Sequence, residues 1–207
     1  MFINKTFFTA LILIIFFPFY TNAQDNIFCD NEADIIKILT QRYSSQPEIK
    51  TRGLSMRGDS RSIEKKRTIV VVTENENHPL PQKVTVQEWE NIPKVNMKIL
   101  FEYNSCALES GAYSLLNELG RALTNKALAD RRISLLGHTD SDGSNQYNLN
   151  LSLKRARAVK NYLVGNFRLT PMRINIFGYG EAMPLVPNSN SYNKQRNRRV
   201  EIRAEKY

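Results

Sequence analysis

Histidine and cysteine are scarce in this chain of 207 residues, which has two of each: His78, His138, Cys29 and Cys106. A metal centre or a histidine-based acid–base pair therefore has little to draw on. His138 and Asp140 stand two apart at a strand end and share a face, but no third ligand stands out. His138 is better read as a structural residue. Asp140-Ser141-Asp142-Gly143 begins like a calcium loop, yet the later ligands and the distant glutamate of such a loop are missing. There is no Gly-x-Ser-x-Gly turn to expose a nucleophile, no glycine loop to cradle phosphate, no internal repeat and no low-complexity tract. No activated group, cofactor or metal is expected, so a binding module is favoured over an enzyme.

Long apolar runs are also few. Phe7–Phe19 is short for a membrane span. It follows a single charge, Lys5, and precedes Thr21-Asn22-Ala23, which predicts a cleavable secretory signal over residues 1–23. Cys29 follows Ile27 and Phe28 rather than small residues, so acylation there is not expected. The chain has 29 basic and 20 acidic residues, a net charge of +9, which becomes +8 once Lys5 leaves with the signal. A basic surface suits nucleic acid, anionic lipid or acidic polymer. Export excludes nucleic acid, and ordinary solvated charge covers most of the excess. In an oxidising compartment Cys29 and Cys106 form an even pair. A bridge between them would stabilise the fold by about 4–5 kcal/mol in the chain-entropy account. Two unrelated thiols fit the sequence equally well.

Residues 24–94 read as a poorly ordered arm. Ala33–Leu39 is a short helix with Ile35, Ile36 and Leu39 on one side. Thr51–Arg67 is basic, rich in Gly and Ser, and has little to bury. Thr68–Thr73 and Val84–Val86 are β-branched runs that pair as a hairpin if His78-Pro79-Leu80-Pro81 is the turn between them. From Val95 the pattern sharpens. Val95, Met97, Ile99 and Phe101 alternate as in a strand. Ala112, Leu115, Leu116, Leu119, Ala122 and Leu123 form a helical stripe. Ile133–Gly137 is a short apolar strand, and Asn148–Val164 a helix with Leu149, Ser152, Ala156, Val159 and Leu163 facing inward. Arg173–Phe177 is a strand, Glu181–Gln195 a polar loop, and Val200–Ala204 the last strand. In the C-terminal tail Arg199, Glu201 and Arg203 alternate with Val200, Ile202 and Ala204, which predicts a strand with a solvent-facing side. The expected fold is α+β: a β-α-β-α-β-β sandwich over residues 95–207, its helices packed on a mixed sheet.

Asp140 lies just past a strand end, where open sheets gather ligands. Asn148 and Arg155 are seven residues apart on the following helix, two turns, so both project to nearly the same side. The loop Ser141–Tyr147 folds the chain back, with Gly143 easing the turn. A carboxylate and a guanidinium facing one groove suit a ligand that carries an ammonium and a carboxylate a few ångströms apart. Arg155 would grip the carboxylate with two parallel hydrogen bonds, and Asn148 would add a neutral one. Spacing alone equally describes an ordinary salt bridge.

Five blocks, in order, then bear on the choice. They are Phe101-Glu102-Tyr103-Asn104-Ser105, Gly137-His138-Thr139-Asp140, Asn148-x-x-Leu151-Ser152-x-x-Arg155-Ala156-x-x-Val159, Gly178-Tyr179-Gly180-Glu181 with Pro184, and Asn197-Arg198-Arg199-Val200-Glu201. Together they resemble the OmpA C-terminal-like domain, along about 110 residues from Val95 to the C-terminus. The resemblance implies a non-catalytic module that binds the meso-diaminopimelate of peptidoglycan. On that reading Asp140 holds the ammonium and Arg155 the carboxylate, while Asn104, Thr139 and Asn148 line the pocket. Cys106 is unusual beside the first block and keeps the pairing with Cys29 open. The implied partner is diaminopimelate-type peptidoglycan, in the periplasm at the wall or outer membrane. An envelope protein held through residues 24–94 is a further partner. The alternative is a periplasmic adaptor of a larger envelope or secretion complex, bound chiefly through protein–protein contact. Relatives that carry an eight-stranded barrel need more chain ahead of the module than the 71 residues between the signal and Val95.

Overall fold

The computed structural model describes residues 28–41, 68–75, 78–85 and 92–207. The expected signal (1–23) and the basic stretch 51–67 lie outside the described residues. The elements are α1 (Glu32–Thr40), β1 (Thr68–Asn75), β2 (His78–Thr85), β3 (Lys94–Met97), α2 (Ala112–Thr124), β4 (Arg131–His138), α3 (Asn145–Phe167), β5 (Ile174–Gly180), α4 (Ser191–Asn197) and β6 (Val200–Lys206). Six strands form one mixed sheet in the order β2-β1-β5-β4-β6-β3. β4 and β5 are parallel and joined by α3, and the other pairs are antiparallel. From β3 onward this is the expected α+β order.

The two faces of the sheet differ. One is apolar: Val95 and Met97 of β3, Ile133 and Leu135 of β4, Ile174 and Ile176 of β5, and Val200, Ile202 and Ala204 of β6 form a buried cluster. Leu116, Leu119 and Leu123 of α2 and Ala156, Val159 and Leu163 of α3 join it. Each large side chain sealed there contributes roughly 1.5–3 kcal/mol. Ile35 and Leu39 of α1 and Val72 of β1 belong to the same cluster, so parts of residues 24–94 share this core. Asn31 caps α1 by accepting from the Asp34 amide at 2.9 Å. The Glu118 carboxylate of α2 accepts the next free amide, that of Glu32, at 3.0 Å.

The opposite face begins apolar, with Ile69 and Val71 on β1, Leu136 on β4, and Phe177 and Tyr179 on β5. It turns ionic toward β3. Arg199, Glu201 and Arg203 are about 5–6% exposed. The expectation of a solvent-facing side on the last strand is therefore corrected. β6 sits inside the sheet between β4 and β3, not at its edge, and its charges are satisfied within the protein. Arg203 Nε donates to Glu201 Oε1 at 2.5 Å, and Arg199 Nε donates to Asn96 Oδ1 at 2.8 Å.

The N-terminal hairpin forms, but His78–Pro81 is not its turn. Pro79 and Pro81 lie within β2, opposite Glu74 and Val72. β2 is an edge strand, where a missing amide can point away from the sheet at no cost in pairing. The polar loop Glu181–Gln195 holds the start of a helix, α4, capped by Asn190. The buried Asn197 fastens that loop: its Oδ1 accepts from the amides of Leu185 and Val186, and its Nδ2 donates to Val186 O. Both cysteines are free, so the bridge considered between them is not formed. Cys29 is buried beside β3, its amide donating to Asn96 O. Its thiol is pushed up to about 11 by burial and by Asp34 and Asp30. Cys106 is half-buried, in the loop after β3.

Candidate functional site

The site lies where β4 ends. A register shift between Gly137 and His138 sets His138 opposite Gly180 of β5, and such bulges re-aim the residues that follow. Thr139 is then held by its amide, which donates to Gly180 O at 2.9 Å. α3 crosses directly over the strand. A Cβ on Gly137 would come within 2.1 Å of Ser152 O, so only glycine permits this approach. At the turn into α3 Gly143 has φ +97, and Ser144 caps the helix by accepting from the Tyr147 amide at 3.2 Å.

These constraints bring Asn104, Thr139, Asp140, Asn148 and Arg155 to one open groove of about 360 Å³. All five residues singled out from the sequence line it. Asn104 sits in the left-handed region, φ 53, and its Oδ1 accepts from the Tyr147 hydroxyl, which joins the loop after β3 to the start of α3. Asn148 Nδ2 donates to Glu181 Oε2 at 2.8 Å and to Asp140 O at 3.3 Å. The Thr139 hydroxyl is buried and has no hydrogen-bond partner.

Arg155 is only 8% exposed. Its Nε donates to Ser105 O at 3.1 Å, and its guanidinium lies over the Phe101 ring at 5.0 Å. Among the described residues no carboxylate forms an ion pair with it. Burial, and then the positive charge of Arg198, lower its pKa, with Tyr147 and Asp140 opposing. Among the described residues neither of its Nη groups has a hydrogen-bond acceptor.

Asp140 is not free in the same way. Its Oδ1 accepts from the Asp142 amide at 3.0 Å, and its Oδ2 pairs with Arg198 Nη1. The salt bridge weighed against a ligand site does exist, but its cation is Arg198, not Arg155. Arg198 is 42% exposed at its side chain and so can swing outward. No role was assigned to it from the sequence, although it stands in the fifth block. It lies 58 residues from Asp140, and the pairing of β6 with β4 brings it there: Gly137 faces Val200, and the His138 amide donates to Arg199 O at 3.0 Å. Phe101 and the Ser105 carbonyl were likewise in view as a motif without a role.

The arrangement offers a buried guanidinium lacking a counterion, a carboxylate held by a displaceable arginine, and an unused hydroxyl. It can grip a carboxylate and an ammonium on one small ligand.

The OmpA family matches residues 100–198. Outer membrane porin F of Pseudomonas aeruginosa is 31% identical over 114 residues, which cover 55% of this chain and 32% of that one. The peptidoglycan-associated lipoprotein of the same species is 33% identical over 103 residues, covering 50% of this chain and 59% of that one. A MotB-like protein of Desulfovibrio vulgaris, of known structure, is 28% identical with a TM-score of 0.49, covering 57% of this chain and 75% of that one. The chain thus spans from a third to three-fifths of the length of these two curated relatives.

Proposed function

Given that residues 100–198 form an OmpA family domain, we propose that this chain binds peptidoglycan without catalysis, through the meso-diaminopimelate of the stem peptide. It thereby ties itself, or an assembly it belongs to, to the wall on the periplasmic side of the outer membrane. The observation that carries this reading is Arg155, a buried guanidinium left without a carboxylate at the side of a groove that also holds Asp140. An unpaired buried cation is costly to keep, and an incoming carboxylate would relieve that cost. A relative named as peptidoglycan-associated supports the same choice of ligand.

Binding on this reading proceeds by exchange. The carboxylate at the diaminopimelate side-chain end takes the two Nη groups of Arg155 in a bidentate pair. The ammonium takes Asp140 Oδ2, and Arg198 swings away. The Thr139 hydroxyl and Asn148 supply neutral hydrogen bonds.

Sedimentation with purified sacculi tests this. Asp140→Ala and Arg155→Ala should each lose about 2–5 kcal/mol of binding, most of the retained protein, while staying folded by circular dichroism. Walls with lysine in place of diaminopimelate keep the ammonium and lack the carboxylate, so they should retain little of the wild type. Retention unchanged in both variants would remove this groove as the site.

A further inference from the structure

Past Arg155 the surface holds a second, smaller pocket, of about 170 Å³. It shares Phe101, Glu109, Arg155 and Arg198 with the groove, so the two are contiguous. Its remaining polar lining is Lys98, His138, Gln195 and Arg199. Four cations therefore surround it against one carboxylate, Glu109. Arg199 is already committed to Asn96, to the Met183 carbonyl and to Glu201, and contributes field rather than free donors. Lys98 is exposed and has no ion-pair partner among the described residues. His138 is 2% exposed, and neither ring nitrogen has a hydrogen-bond partner. A buried, unpartnered imidazole in a pocket of cations is a built polar site rather than a surface dimple.

We propose that this pocket takes a second carboxylate of the same ligand, so that the protein recognises an acidic peptide and not an isolated amino acid. This rests on the function proposed above. The volume suits one small anion, and the excess of cations excludes a second ammonium. The shared wall requires that the two carboxylates be close in one molecule. The groove already accounts for the free end of the diaminopimelate, and where the stem continues past that residue its other carboxyl is tied up in a peptide bond, so the second carboxylate belongs to the neighbouring residue. In such a stem that residue is a glutamate joined through its γ-carboxyl, and its α-carboxylate is either free or amidated.

Amidation therefore supplies a clean test. Isothermal titration would compare L-alanyl-γ-D-glutamyl-meso-diaminopimelate with the same peptide carrying an α-carboxamide on the glutamate. The wild type should bind the free acid about tenfold more tightly, the scale of one hydrogen bond to a charged group. Lys98→Gln should remove most of that preference and leave the affinity for the amidated peptide unchanged. Equal affinity for the two peptides in the wild type would overturn the inference and leave the proposed function standing. A preference that persists in full in both Lys98→Gln and Gln195→Glu would also overturn it, by placing the discrimination elsewhere. If the wild type binds neither peptide nor free meso-diaminopimelate, the proposed function falls and this inference falls with it.

Discussion

Three arginines are buried in this protein and are kept for different reasons. Arg199, just ahead of β6, and Arg203, on it, flank Glu201 at 3.6 Å and 2.5 Å. Arg155 lies on α3, buried almost as deeply, with a carbonyl and an aromatic ring for company and no carboxylate ion-paired to it among the described residues. The first pair is neutralised where it stands. Burial lowers Arg199 to about 10, and Glu201 works against that shift. For Arg155 the next largest influence after burial is another cation, Arg198. A buried charge that is paired holds a sheet together. One left unpaired, at the side of an open groove, is a receptor for something the chain does not itself contain.

The comparison is broken most severely at Glu201. Desolvation alone would raise its pKa, but Arg203, Arg199 and Lys94 outweigh burial and hold it below the ordinary carboxylate value. Glu201→Gln leaves two neighbouring arginines, Arg199 and Arg203, without their shared anion. Unfolding in urea should show a loss of about 3–5 kcal/mol. A loss under roughly 1 kcal/mol would mean that the pairing contributes no more than a surface salt bridge and that the contrast with Arg155 is empty.

Arg155→Met sharpens the contrast from the other side. Methionine keeps an apolar stem over Phe101 and removes the charge. Stability should stay within about 1 kcal/mol of the wild type, or rise, because an uncompensated buried cation has gone. Affinity for sacculi should fall by about 2–5 kcal/mol. Denaturation and sedimentation on the same preparation read both quantities. If stability falls as far as in Glu201→Gln, Arg155 is a structural residue after all.

The sequence made one half of this comparison legible and hid the other. The stripe Leu149, Ser152, Ala156, Val159 and Leu163 is fully inward, since a helix has only one way to bury such a row. The same geometry makes the placement of Asn148 and Arg155 readable, because two helical turns fix a direction. β6 was misleading for a physical reason. Charged and apolar residues alternating along a strand ordinarily mean one wet face. Only the strand order puts Arg199, Glu201 and Arg203 beside Asn96 and His138. Arg198 escaped for the same cause, since an ion pair across 58 residues is a property of strand pairing and not of local spacing. The two prolines of β2 look like a turn until the strand is known to be an edge.

The smallest effect concerns His138, at the border between the paired cluster and the second pocket. Its Nε2 lies 3.7 Å from Glu201 Oε2, within ion-pair distance were the ring protonated. Glu201 is already committed to two arginines, however, and burial together with Arg199, Arg203 and Lys94 holds the imidazole pKa well below 6.5. The folded protein therefore keeps His138 neutral, while the unfolded chain takes up a proton near pH 6.5. A group whose pKa is depressed by folding contributes stability that is complete above its unfolded value and lost as pH falls toward its folded one. Between pH 6.5 and 5 Glu201 contributes no such slope, because an unfolded glutamate titrates below that window. Stability should then decline by roughly 1 kcal/mol per pH unit on account of His138. His138→Gln should flatten the decline, as urea unfolding at half-unit steps of pH would measure. An unchanged slope in that variant would mean that Glu201 does stabilise the imidazolium. The carboxylate would then be shared by three cations, and the neat division between paired and unpaired charge would have to be redrawn at β6.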